Sequence, residues 1–196
     1  MKQRLRGLLA GGSAGNEQLT AVTAVLLLVL LAIEGATLLQ LGSLLTVHAF
    51  VGMLLIPPVA LKVASTGWRM VRYYRRGEEY VRRGPPHVVL RVLVSPVLVS
   101  ATVALFATGV VLLVRGQTHG AVVGRHKAAF VVWLGAAGVH VLVHLLELPR
   151  RVPGTALRAA LVGCTLAAGA LLAVATLPAA DHLQDVASAH VGLDAH

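Results

Sequence analysis

Histidines inside apolar segments are the residues of this chain best suited to chemistry. His126 and His140 are fourteen residues apart in one such segment. At 100° per residue, fourteen residues fall about 40° short of four turns, so both rings share a helix face, about 21 Å apart. His48 lies in another apolar segment, at the membrane depth expected for His126. Two facing imidazoles at one depth can ligate a single haem iron from opposite sides.

Composition assigns the chain to the membrane. Of its 196 residues 57% are hydrophobic and 13% are charged, and the mean hydropathy is +0.79. Soluble domains have an apolar fraction nearer half and a charged fraction nearer a quarter. The only cysteine is Cys164, which excludes an internal disulfide and a thiolate metal site. We therefore expect an all-α integral membrane protein.

Five apolar segments are long enough to cross a hydrocarbon core of about 30 Å, which takes about 20 helical residues. The predicted spans are residues 19–41, 44–64, 88–114, 124–148 and 155–177. The connection near residues 40–43 allows only a tight turn, so spans one and two should be antiparallel neighbours. Residues 178–196 are predicted to form a mobile outer tail, and the whole chain is one transmembrane domain.

The net charge of +9 reports topology. Fourteen of the seventeen basic residues fall before span one or around the second and fourth connections. Only Arg115, Arg125 and Lys127 fall on the other side. The positive-inside rule then places the N-terminus inside, the C-terminus outside and the bundle in the cytoplasmic membrane. This placement excludes a nucleic-acid partner and predicts contact of the inner arginines with lipid phosphates.

Neighbouring residues support a haem between spans two and four. Gly52 is one turn below His48 and would let a flat macrocycle approach the helix, and the outer cations Arg115, Arg125 and Lys127 could meet haem propionates. Glu34 could accept the second ring N–H of an axial histidine, or move protons to or from a quinol. An ion pair within the bundle or a neutral carboxylic acid is the alternative for Glu34.

A family resemblance is carried by four segments: HAFVG (48–52), IPPVALKVASTGWR (56–69), YYRRGEEYVRRGPP (73–86) and RHKAAFVVWLGAAGVHVLVHL (125–145). They resemble small bacterial membrane b-type cytochromes, the four-helix haem subunits related to hydrogenase and formate dehydrogenase cytochrome b, and uncharacterised cytochrome b-like membrane proteins. The likeness covers roughly residues 44–148. It implies a four-helix haem b core with His48 and His126 as outer axial ligands, and electron transfer between quinone and an oxidoreductase subunit.

A second haem is left open by the sequence. Di-haem members of that family have another histidine about fourteen residues along each of two helices, but Lys62 stands at this position in span two. Lysine is a poor haem ligand because it is protonated at neutral pH. His140 could pair with an unidentified ligand, or His144 with His87. Otherwise His140 and His144 hydrogen-bond neighbouring helices or face inner water.

The sequence thus favours an electron-transfer subunit over a stand-alone enzyme. Haem b would be the cofactor, and membrane lipid, quinone and an extracytoplasmic or membrane oxidoreductase subunit would be the partners. The alternative is a haem-free scaffold or assembly subunit whose histidines are structural or conduct protons. A transporter is the third reading, which the absence of an inverted repeat disfavours.

Overall fold

The computed structural model describes residues 12–76, 81, 90–145 and 156–193, and this part of the chain is helical without β-strands. The helices are α1 (Gly12–Thr37), α2 (Leu41–Tyr74), α3 (Ser95–Arg115), α4 (Ala121–Leu145), α5 (Ala156–Ala175) and α6 (Leu177–Leu193). A short 3-10 turn (Leu38–Gln40) precedes α2, and a π-helical turn (Leu90–Val94) leads into α3.

Helices α1 and α2 form an antiparallel hairpin. Glu34 contacts His48, and the Lys62 ammonium donates to the Thr20 carbonyl, so both contacts are centred on residue 41. The chain reverses through the 3-10 turn, where Gln40 leaves the helical region at φ −139° and ψ 48°. The predicted tight turn and antiparallel pairing are therefore confirmed.

Helix α5 packs closely on α2 because two local features cooperate. Pro58 lacks an N–H, so the carbonyl of Leu54 has no partner one turn later in its own helix. Gly169 of α5 lies directly against this carbonyl, and a Cβ at residue 169 would collide with the Leu54 oxygen. The glycine therefore allows the two backbones to approach, as small residues do between membrane helices.

Helix α6 occupies residues expected to be a mobile tail. Its apolar residues Ala180 and Leu183 are buried against Met53 and Leu113. The side chain of Gln184 accepts hydrogen bonds from the backbone N–H groups of residues 45 (2.9 Å) and 46 (3.3 Å). Residues 45 and 46 follow the non-helical backbone at Leu44, where the regular helix of α2 starts again. The two bonds therefore satisfy N–H groups that the first turn of a helix leaves without partners. The mobile tail was not correct, because burial of one face orders the segment.

Helices α3 and α4 form a second hairpin. Gly116 ends α3 in the left-handed region at φ +60°, where glycine carries no steric cost. The Trp133 indole of α4 donates to the Thr102 hydroxyl of α3 at 3.1 Å. Among the described elements, α4 packs mainly on α3, while α3 also contacts α2 and α6. The hairpin is thus joined to the rest of the bundle through α3.

The apolar surface of the described helices fits a multi-pass membrane protein. Segments Leu19–Tyr74, Val92–Arg115 and Ala121–Val143 are long and apolar enough to cross a membrane. The pair Val162–Ala175 and Leu177–Ala189, bent by 50°, passes the same test as one unit and would bring the number to four. The first segment contains the α1–α2 reversal. Many large apolar side chains are exposed, as expected where lipid tails are the solvent.

Candidate functional site

His48 is held by two side chains of the neighbouring helix. Its Nδ1 is 3.0 Å from Oε1 of Glu34 and 3.0 Å from the Thr37 hydroxyl. Both partners lie on the last turns of α1, and His48 lies one turn after the non-helical backbone at Leu44. The hairpin turn therefore brings these three residues together, although fourteen residues separate Glu34 from His48 in sequence.

The Thr37 hydroxyl determines which nitrogen of His48 carries the proton. A hydroxyl has one hydrogen, and that of Thr37 is donated to the Glu34 carbonyl oxygen at 2.6 Å. Thr37 can then only accept from Nδ1 of His48, and an ionised Glu34 carboxylate likewise accepts. Nδ1 is therefore protonated in the neutral ring, which leaves the lone pair on Nε2.

His126 repeats the same arrangement on the second hairpin. Its Nδ1 is 3.0 Å from the hydroxyl of Thr108 on α3. This hydroxyl donates within its own helix to the carbonyls of Ala104 (2.6 Å) and Leu105 (3.1 Å). Thr108 must then accept from His126, so Nε2 of His126 also retains its lone pair.

Gly109 gives the His126 ring its place against α3. A Cβ built on Gly109 would lie 3.3 Å from Cε1 and 3.7 Å from Nδ1 of His126. The first distance is tighter than ordinary van der Waals contact, so any side chain at 109 would press on the imidazole. The absence of a side chain at Gly109 therefore leaves room for the imidazole.

The two imidazoles belong to helices that are connected through α3. Their helices, α2 and α4, do not pack extensively on each other within the described residues, and α3 touches both. We name the set Glu34, Thr37, His48, Thr108 and His126 the histidine level.

Glu34 and Gly52 are coupled at this level. The carboxylate is 17% exposed and His48 is 21% exposed. A Cβ on Gly52 would lie 3.5 Å from Oε1 of Glu34, in ordinary van der Waals contact, so Gly52 faces the carboxylate. The second oxygen, Oε2, is buried and has no hydrogen-bond partner among the described residues. Glu34 therefore has an acceptor that the described side chains do not use.

The cations predicted to meet propionates lie at solvent-accessible or lipid-accessible positions. Arg115 closes α3, and Arg125 and Lys127 flank His126 on α4. All three side chains are exposed. The two α4 cations are therefore at the depth of the histidine level, beside the ring they were predicted to accompany.

A second polar set lies fourteen residues further along α2. Lys62 Nζ donates to the Thr20 carbonyl at 2.8 Å, and the hydroxyls of Thr20 and Ser65 are 3.1 Å apart. We name Thr20, Lys62 and Ser65 the lysine level. On α4, His140 is half-buried. The side chain of His144, and His87 altogether, lie outside the described residues, so the suggested second-haem set stays a prediction.

The side chains of the histidine level suit haem iron better than a metal ion held by protein ligands alone. In the part of the chain that the structure describes, no group of three or more His, Cys, Asp or Glu could hold a metal ion. Haem iron needs only two axial residues because the porphyrin supplies the other ligands. Two imidazoles with Nδ1–H held by acceptors and Nε2 carrying a lone pair fit that requirement.

Sequence reasoning missed the threonines that fix the two rings. Thr37 and Thr108 are in apolar helices where a threonine ordinarily bonds to its own backbone, so nothing in their spacing marks them. Their role depends on which helix faces which, and only the packed hairpins supply that information. One sequence signal was available: Thr108 stands directly before Gly109, so a hydroxyl lies next to a position without a side chain.

Comparison of the chain with protein-family models, with curated proteins and with solved structures finds no match.

Proposed function

We propose that this protein is a membrane b-type cytochrome that carries one haem b between α2 and α4, with His48 and His126 as axial ligands. The supporting observation is the shared proton arrangement: both histidines give Nδ1–H to a threonine that has already donated its own hydrogen. Each ring is thereby presented as a neutral Nε2 ligand from a different helix. A free Nε2 lone pair on each of two helices is what a pair of haem ligands requires.

The remaining residues of the histidine level orient the ligands. Hydrogen bonds to Nδ1 hold the ring planes and raise the basicity of Nε2, as outer partners do for metal-bound histidine. Glu34 strengthens this effect at His48, while Thr108 gives His126 a neutral partner. A bound haem b would supply one-electron chemistry, and two histidine ligands would leave no coordination position for a substrate.

Electron transfer between membrane quinone and an extracytoplasmic or membrane oxidoreductase subunit is the function proposed for this centre. We further propose five crossings of the cytoplasmic membrane, with the N-terminus inside and the C-terminus outside. The charge distribution supports this topology, because fourteen of seventeen basic residues would then be cytoplasmic. Arg125 and Lys127, exposed beside His126, would meet anionic propionates or an acidic partner.

The decisive experiment is a pyridine haemochrome assay on protein purified from a haem-sufficient host. We expect one haem per chain for the wild type and none for His48→Ala or His126→Ala. His119→Ala, in the exposed connection between α3 and α4, is the matched control and should keep a full complement. A wild-type ratio near zero, or normal ratios in both axial variants, would refute the proposal.

A haem-free role in proton conduction is the second candidate, and one observation favours it. Glu34, His48 and Thr37 form a hydrogen-bonded set of proton-exchanging groups, and Oε2 of Glu34 remains without a partner among described residues. In that case purified protein would lack a Soret band, and proteoliposomes would show a proton flux that His48→Ala abolishes. The two functions are thus separated by the readout, because His48→Ala would remove haem in one case and proton flux in the other.

A further inference from the structure

Helix α2 is longer than a membrane crossing requires. Its 34 residues extend about 51 Å, whereas the hydrocarbon core is about 30 Å thick. A crossing of about 20 residues that starts after the break at Leu44 ends near Ser65. Ser65 is also the last buried residue of α2. Two further helical turns, to Tyr74, therefore project past the core as a continuation of the same rod.

This projection carries a dense positive charge. Arg69, Arg72, Arg75 and Arg76 are all exposed, and residues 61–76 contain no Asp or Glu. Arg69, Arg75 and Arg76 make no ion pair with a described residue. Across residues 62–83 the sequence has seven basic and two acidic residues, a net charge of +5. The two acidic residues of this stretch are therefore too few to balance its seven basic residues.

Aromatic side chains accompany the arginines. Trp68 is 57% exposed and Tyr74 is 63% exposed. The Arg72 guanidinium lies 5.9 Å from the centre of the Trp68 ring, and Tyr73 and Tyr74 contact each other edge to face at 5.6 Å. Trp and Tyr of this kind concentrate at the boundary between hydrocarbon and headgroups. The projection therefore begins within the headgroup layer.

Helical periodicity gathers these groups on one face. At 100° per residue, Trp68, Arg69, Arg72 and Arg75 fall within an arc of about 120°. The opposite side carries Met70, Val71 and Tyr74. Arginine suits phosphate because its planar fork can donate two parallel hydrogen bonds. A flat basic face with an interfacial tryptophan thus matches the surface of a phospholipid layer.

We propose that the segment Trp68–Arg76, here named the basic extension, binds the headgroups of anionic phospholipids. The occupant is lipid because the face starts at headgroup depth and pairs cations with interfacial aromatic rings. This binding is independent of the proposed haem. It fixes the depth of α2, the same helix that carries His48, through a rigid helical connection.

Tryptophan quenching by brominated lipid tests the proposal, since the chain has only two tryptophans. In a Trp133→Phe background, Trp68 is the sole reporter and lies in the basic extension. The full chain is reconstituted in phosphatidylcholine vesicles containing equal fractions of brominated phosphatidylglycerol or brominated phosphatidylcholine. We expect roughly fivefold preferential binding of phosphatidylglycerol near Trp68, the effect of about one arginine contact.

Two further arms identify the cause. The preference should fall below twofold in 0.5 M NaCl, because surface electrostatics are screened. It should also vanish in the quadruple variant Arg69→Gln, Arg72→Gln, Arg75→Gln, Arg76→Gln. The matched control, Arg115→Gln with Arg125→Gln and Lys127→Gln, removes cations elsewhere and should keep the preference. Inorganic phosphate at the ionic strength of a chloride control should not compete, which separates a lipid surface from a free phosphate site.

The reciprocal reporter guards against a folding defect. With Trp68→Phe, the remaining Trp133 lies between α3 and α4 and should show equal quenching by both lipids. Equal quenching of Trp68 by the two lipids in the wild-type extension would overturn the proposal and leave a cytoplasmic protein as the partner for these arginines. A salt-insensitive preference would overturn it as well.

Discussion

The histidine level and the lysine level are both polar sets within apolar helices, and both use the α1–α2 hairpin. Along α2 they are fourteen residues, or about 21 Å, apart. At the lysine level the groups satisfy one another: Lys62 donates to the Thr20 carbonyl, and Ser65 donates to the Lys62 carbonyl at 3.0 Å. Each side chain of the lysine level therefore has a partner within the set.

The histidine level is arranged differently. Its threonine hydroxyls donate to backbone carbonyls, so they can only accept a hydrogen bond from Nδ1 of each imidazole. Each imidazole therefore keeps the lone pair of Nε2. In addition, the buried Oε2 of Glu34 has no hydrogen-bond partner among the described residues. Buried polar side chains alone therefore do not indicate a ligand-binding site, because buried groups that hydrogen-bond to one another are structural. A ligand-binding site is indicated where the hydrogen bonds among the side chains leave acceptors available to a ligand.

The largest expected effect comes from filling the gap at the histidine level. In Gly109→Leu the new side chain would occupy the place of the His126 ring, since even a Cβ there is 3.3 Å from Cε1. We expect bound haem to fall at least tenfold in the haemochrome assay. Gly35→Leu is the matched control, because a Cβ at 35 meets nothing within 4 Å, and it should bind haem normally. Full haem occupancy in Gly109→Leu would contradict the role of His126 as a haem ligand.

A smaller effect is expected from removing the carboxylate that holds His48. In Glu34→Ala, His48 keeps only Thr37 as a partner for Nδ1. Loss of such an outer partner commonly weakens metal binding 10–100-fold. We expect about tenfold faster haem transfer to apomyoglobin. Glu34→Gln, whose amide oxygen can still accept, should recover most of the difference, and identical transfer rates in all three proteins would contradict this role.

The smallest effect is expected at the lysine level. Lys62→Met keeps the length of the side chain and removes one internal hydrogen bond, while the Thr20 carbonyl remains within its helix. Hydrogen bonds between membrane helices contribute only about 0.6 kcal/mol on average. We expect a change in unfolding free energy below about 1 kcal/mol, measured by denaturant titration in detergent, and an unchanged haem ratio. Haem loss in this variant would show that the two levels are not functionally distinct.

Much of the fold could be predicted from the sequence because membrane solvation leaves few options. Long apolar segments must form helices in lipid, and the short connection near residue 41 forces an antiparallel hairpin. The mobile tail was wrong for a specific reason. Residues 177–193 are less apolar than the spans, yet Ala180 and Leu183 bury one face and Gln184 caps α2 across 139 residues of sequence.

The candidate site could be predicted only in part. The residue types and the fourteen-residue spacing picked out His48 and His126, and the apolar surroundings made Glu34 conspicuous. Gly52 was expected to face a cofactor and stays a prediction in that role; the structure places it beside Glu34. Thr37 and Thr108 carried no signal, since a threonine bonded to its own helix looks the same whether or not a histidine lies opposite.

The amino-acid sequence by itself determined that the chain forms helices long and apolar enough to cross a membrane, and which side chains are chemically able to bind a metal. These properties follow from composition and local periodicity, which need no knowledge of neighbours. Tertiary structure decided which threonine bonds each ring, which nitrogen of each carries the proton and which glycine lies against a histidine. Such facts depend on hydrogen-bond directions and ångström-scale contacts between helices distant in sequence, and no local pattern encodes them.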